Sequence, residues 1–179
     1  MRKIVLTYGL IAGAMLSAMM SLTIPFHDEL GLDQSMGMVL GYTTMVISFL
    51  MVYFGVRTYR DTVAGGTVTF GKAFLVGILI AGIATLCYIA TWEVMFNKFM
   101  PDYMEKYGET VVAKARANGE SEAEIAKRQQ EMAQFAESYR NPLVRMAWTF
   151  LEPLPVALLF SLVSAGVLSR RRRVGEAVA

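Results

Sequence analysis

The sequence predicts an all-α protein: a four-transmembrane-helix bundle with an extramembrane helical hairpin inserted between helices 3 and 4. Three observations predict it. First, 55% of the 179 residues are apolar and only 18% are charged, with a mean hydropathy of +0.43, whereas soluble domains put about a quarter of their residues into charges. Second, the apolar residues gather into four runs near the ~20 residues that span ~30 Å of hydrocarbon. Third, a polar segment with helical periodicity, 97–141, separates the third run from the fourth. Residues 1–179 read as a single membrane domain.

The four runs are 4–24, 36–56, 73–92 and 143–168. The first three carry no formal charge. The fourth holds Arg145 and Glu152 near its start, and it either continues through Glu152 or starts afresh at Pro153. The first run follows Arg2 and Lys3 as a signal peptide would. It is too long for an h-region and lacks a small-x-small cleavage site, so it is expected to stay as a helix. Lysine and arginine cluster at the start, in the second connection (Arg57, Arg60, Lys72) and in the tail, whereas 25–35 has neither and carries Asp28, Glu29 and Asp33. The positive-inside rule then places both termini in the cytoplasm and 97–141 outside.

Within 97–141, Pro101 can open a helix and Asn118-Gly119 marks a turn. Ser121 with Glu124 makes a capping box for a second helix. Tyr103 or Met104, Tyr107, Val111 and Ala115 form one apolar stripe; Ile125, Met132, Phe135 and Tyr139 form another. Pro142 closes the segment before the last span.

Membrane helices associate by close packing, which small residues at every fourth position permit. Each run has such a ridge: Gly9, Gly13, Ser17 and Ser21; Gly37 and Gly41; Ala73, Gly77, Ala81 and Thr85; Ala157, Ser161, Ala165 and Ser169. The ridges predict a tight bundle. The alternative is the general enrichment of such residues in membrane helices.

Glu152 is the best candidate for chemistry, because a carboxylate inside a span costs energy unless paired or protonated. It falls about one turn below Trp148, which with Trp92 marks an interfacial belt; Glu93 lies beside that belt. Its candidate partners are Thr149 and Arg145 on the same helical face, and Tyr42 and Tyr88 from two other helices. Such a group makes either a proton, cation or head-group site, or a structural lock in which tyrosines satisfy the acid or it caps a helix at Pro153.

Other motifs point away from chemistry. Gly66-Thr67-Val68-Thr69-Phe70-Gly71-Lys72 has the spacing of a phosphate-binding loop, but Ala73 stands where Ser or Thr would hold magnesium and no apolar strand precedes it. Lys72 and Arg170, Arg171, Arg172 and Arg173 read as head-group or topology anchors on anionic lipid, not as nucleic-acid contacts. One cysteine, Cys87, and one histidine, His27, supply no metal site, and the thirteen methionines read as packing filler, so neither metal nor cofactor is expected.

In order and spacing, the chain resembles a bacterial family known as domain of unknown function 4199. The matching pieces are Tyr8-Gly9-Leu10-Ile11-Ala12-Gly13, Gly41-Tyr42, Gly55-Val56-Arg57-Thr58-Tyr59-Arg60-Asp61 and Phe70-Gly71-Lys72-Ala73-Phe74, then Pro101-Asp102-Tyr103, Tyr139-Arg140-Asn141-Pro142 and Glu152-Pro153-Leu154-Pro155. The resemblance implies a four-helix bacterial inner-membrane protein with a polar insertion before the last helix, and it brings no catalytic residues.

The expected function is non-enzymatic, since no nucleophile and base stand together: interaction or assembly through 97–141, with a second copy or another membrane or periplasmic protein, beside membrane lipids. The alternative is a small proton-linked carrier, channel-like or lipid-binding protein built around Glu152.

Overall fold

Apolar length sets the main elements, and glycine and proline cut them. The structure, a computed structural model, describes residues 1–26 and 34–169. Among the described residues lie seven helices: α1 (Arg2–Thr23), α2 (Gln34–Thr62), α3 (Phe70–Phe99), α4 (Tyr103–Ala117), α5 (Glu122–Tyr139), α6 (Pro142–Leu151) and α7 (Leu154–Leu168). Four stretches are long and apolar enough to cross a membrane: Arg2–Thr23, Met36–Thr62, Phe70–Phe99, and Pro142–Leu168 taken through the α6–α7 break. His27 and Arg170 to Arg173 fall outside the described residues.

Two helices outrun the expected spans. At 1.5 Å per residue the 30 residues of α3 reach ~45 Å, well beyond a ~30 Å hydrocarbon layer. The α2 helix runs past Val56 to Thr62, with Arg57 and Asp61 forming an i,i+4 ion pair at 3.8 Å on its exposed surface. It stops where Gly65 (φ +67°) and Gly66 (φ +89°) take left-handed conformations, with the Gly66 N–H closing on the Arg60 carbonyl at 2.9 Å. The phosphate-loop-like run is therefore a helix–helix turn, and Lys72 sits exposed in the first turn of α3.

The fourth span is broken. Pro153 and Pro155 have no N–H to give the carbonyls one turn back, so α6 ends at Leu151 and α7 begins at Leu154. Glu152 occupies the gap as the C-cap of α6.

Helix α3 is the hub, packing on α1, α2, α6 and α7. A Cβ at Gly9 would stand 2.7 Å from Ile83 Cβ, and one at Gly13 2.7 Å from Cys87 Cβ, while the Thr91 hydroxyl donates to Ser17 Oγ at 2.7 Å. Gly77 sits against Ser161, whose Oγ would lie 3.2 Å from an added Cβ, and Ala81 and Ala165 are buried beside them. On α2 the sequence placed the ridge at Gly37 and Gly41, but a Cβ at either meets nothing within 4 Å. The close approach falls instead at Gly55, against Ile80 and Tyr8, where Tyr8 and Thr58 share a 2.8 Å hydrogen bond. The reason is geometric: every described buried residue of α2 lies from Met45 onward, so the first part of the helix stands off from the bundle.

Between α3 and α6, Ser121 and Glu124 form the expected capping box. The link from α4 to α5 turns at Gly119 (φ +75°). The two helices pack on each other, burying Ala115 and Ile125.

Gly13→Leu is expected to destabilise the detergent-solubilised protein by about 1–3 kcal/mol, the usual cost of overpacking, and Gly41→Leu to leave melting within about 0.5 kcal/mol of wild type. Equal melting of the two variants would contradict this packing.

Candidate functional site

Two carboxylates on the flank shared by α3, α6 and α7 meet different fates. Glu93 is paired. Arg145 holds it through two parallel contacts, Nε to Oε1 at 2.7 Å and Nη2 to Oε2 at 2.5 Å. The guanidinium also donates to the Tyr139 carbonyl at 3.3 Å and lies 4.3 Å over the Phe96 ring. Its side chain is only 5% exposed, and that of Glu93 16%. A guanidinium so desolvated requires this many partners. The expected pairing of Arg145 with Glu152 on one helical face does not occur. Thr149 does not reach Glu152 either; its hydroxyl donates to the Arg145 carbonyl at 2.9 Å. The shared face ends with α6, so Glu152 turns away at the break while Arg145 projects toward α3.

Glu152 takes a hydrogen bond from the Tyr88 hydroxyl at 2.7 Å. No Lys or Arg among the described residues pairs with it. Tyr88 and Glu152 line a cleft of about 760 Å³, within the ~300–1,000 Å³ usual for ligand sites. Its walls come from α1 (Leu16, Met20), the stand-off part of α2 (Gly41, Tyr42), α3 and the start of α4. Tyr42 shares the cleft with Glu152 while remaining 46% exposed. Gly37 and Gly41 thus line space instead of packing a helix.

An aromatic cluster closes the α4 side, and the sequence showed only its separate halves. Trp92 meets Tyr103 edge-on at 5.2 Å, Tyr103 stacks on Tyr107 at 6.2 Å, and Trp92 Nε1 donates to the Tyr139 hydroxyl at 3.0 Å. Phe135 packs on Tyr139 and Trp148. Burial first, then the charges of Tyr139, Tyr107 and Glu152, push the Tyr103 phenol up to about 12, and burial likewise raises that of Tyr139. Both stay neutral hydrogen-bonding groups. The signal in the sequence was the i,i+4 spacing of Trp92 with Phe96 and of Tyr103 with Tyr107, visible as apolar stripes and not as one cluster.

Fold and site define a class: a small all-α protein with four membrane-compatible helices and an acid-bearing cleft where they meet an added helix pair. The chain belongs to the family described as "Protein of unknown function (DUF4199)", which it matches over residues 7–170. No curated protein and no solved structure matches it.

Breaking the ion pair is expected to cost about 3–5 kcal/mol in either Arg145→Met or Glu93→Gln, because each strands a buried charge or its partner. The double variant should recover much of that loss. Chemical denaturation in detergent measures the cycle, and additive losses would show that the two residues do not act as a pair.

Proposed function

We propose that this is a non-enzymatic membrane protein that holds a membrane-soluble amphipathic ligand in the cleft ending at Glu152. The observation that carries the proposal is a large cleft, with apolar and aromatic walls, that leads to a carboxylate unpaired by any base among the described residues. Within a membrane-compatible segment such a group is costly, which makes a bound partner its natural complement. The protein sits in a bacterial inner membrane with both termini cytoplasmic, and 97–141 forms an extracytoplasmic helical hairpin whose first arm roofs the cleft. A role for 97–141 in binding another protein has less support, because its apolar stripes are spent within the chain: Ile125 and Ala115 are buried, Phe135 packs on Trp148 and Tyr107 on Tyr103.

The sequence has two tryptophans, so Trp148→Phe leaves Trp92 in the cleft wall as sole reporter. Brominated twelve-carbon amphipaths with neutral, anionic and cationic head groups would be titrated into this variant. At least one should quench Trp92 saturably, and adding Gly41→Phe, which fills the cleft from an open position, should abolish saturation. Non-saturating quenching by all three would overturn the proposal. For topology, a cysteine from Asn118→Cys in a Cys87→Ala background should react with a membrane-impermeant maleimide in intact cells; labelling only after lysis would reverse the orientation.

A further inference from the structure

Resting on the cleft reading, we infer that the ligand is a lipophilic organic cation, an ammonium- or phosphonium-type centre carrying apolar groups, seated against Glu152 and the aromatic wall. Charge is the first ground. Among the described residues the cleft is lined by three that carry a formal charge, Glu152, Asp102 and Lys106. Asp102 and Lys106 both belong to the start of α4, one turn apart, with the Lys106 N–H bonded to the Asp102 carbonyl at 3.1 Å, and their formal charges sum to zero. Among the described lining residues Glu152 is left as the net charge. The other acid of this region, Glu93, contributes none, because Arg145 neutralises it.

The setting of Glu152, which is exposed and held by one phenol, is the second ground. Tyr88 donates to Oε2 of Glu152, while Oε1 accepts no hydrogen bond among the described residues. A carboxylate positioned by one phenol and open on its other oxygen presents a fixed negative target. An anion brought to the same point would meet repulsion that a low-dielectric surround strengthens.

Wall chemistry is the third. Tyr88, Trp92, Tyr103 and Tyr107 all line the cleft, and aromatic faces attract cations most strongly when these are poorly hydrated, as quaternary centres are. The opposite wall is soft and apolar, with Leu16, Met19, Met20 and Met45, and thioether side chains adapt to varied hydrocarbon shapes. A carboxylate, aromatic faces and methionines suit an apolar cation better than a hydrated inorganic one, which would want a shell of oxygens.

Tetraphenylphosphonium and tetraphenylborate have the same shape and opposite charge. Each would be titrated into the Trp148→Phe protein against empty micelles, with Trp92 emission as readout. The phosphonium is expected to bind at least tenfold more tightly than the borate. Glu152→Gln should lower phosphonium affinity at least tenfold and leave the borate equal or tighter, whereas Glu152→Asp should keep the preference for the cation. Equal affinity for the two ions, or an unchanged phosphonium affinity in Glu152→Gln, would overturn the inference. If Glu152→Gln does not fold, the wild-type ratio and Glu152→Asp decide. Should the cation preference fail while Gly41→Phe still abolishes binding of either ion, the cleft stands and only the ligand's charge is reassigned. If Gly41→Phe changes nothing, the cleft itself falls.

Discussion

The buried guanidinium of Arg145 is the constraint on which the rest of this structure turns. A charge removed from water to 5% exposure survives only where several groups replace its hydration at once. Here a bidentate carboxylate, a backbone carbonyl and an aromatic face do so from three directions. Those partners sit on α3 and at the end of α5, so satisfying one side chain fixes three helices relative to one another. The Tyr88–Glu152 bond is a second tie between α3 and the fourth span, on the other side of the same contact. Between them the two ties hold the α6–α7 break against α3, with Glu152 in the wall of the cleft.

The cleft itself exists because α2 packs along only part of its length. From Met45 onward its buried residues, Ser48, Phe49, Val52 and Val56, interlock with the bundle, and Gly55 lets Tyr8 and Ile80 approach the backbone. Before Met45 none of the helix's described side chains is buried, and the space beside it is lined by the tyrosines and Glu152. Close packing in one half and separation in the other are two consequences of one rigid helix leaning away from its partners.

The four spans were legible because length and hydropathy are properties of a segment alone: a run of ~20 apolar residues has few other uses. The capping box was legible for the same reason, since it depends on neighbours in sequence; Pro153 marked where the fourth run could break but left open whether it did. The α2 contact was not. Leu50 is 41% exposed and Val52 fully buried, yet both are apolar, because lipid and protein interior impose the same preference; hydropathy therefore carries no sidedness. Small residues show where helices can touch, and α2 has them both at Gly37 and Gly41 and at Gly55, so choosing between them needs the neighbouring helices. Arg145 was misassigned in the same way. Helical spacing put it on the face of Glu152, and nothing local could reveal a carboxylate and a ring waiting on α3.

Two acids close together in one structure, one neutralised and one left open, make a stronger case than either alone. Glu93 is largely withdrawn from solvent and is held by a bidentate arginine, whereas Glu152 is exposed. The bidentate arginine is almost fully buried, so at Glu93 the two charges compensate each other. Glu152 belongs to the same flank and has received a single phenol. A tyrosine hydroxyl orients a carboxylate and eases its desolvation, but it brings no countercharge. On the proposed reading the positive charge comes from something that enters the cleft where Glu152 is exposed, since the cleft's size and aromatic wall are superfluous for a proton.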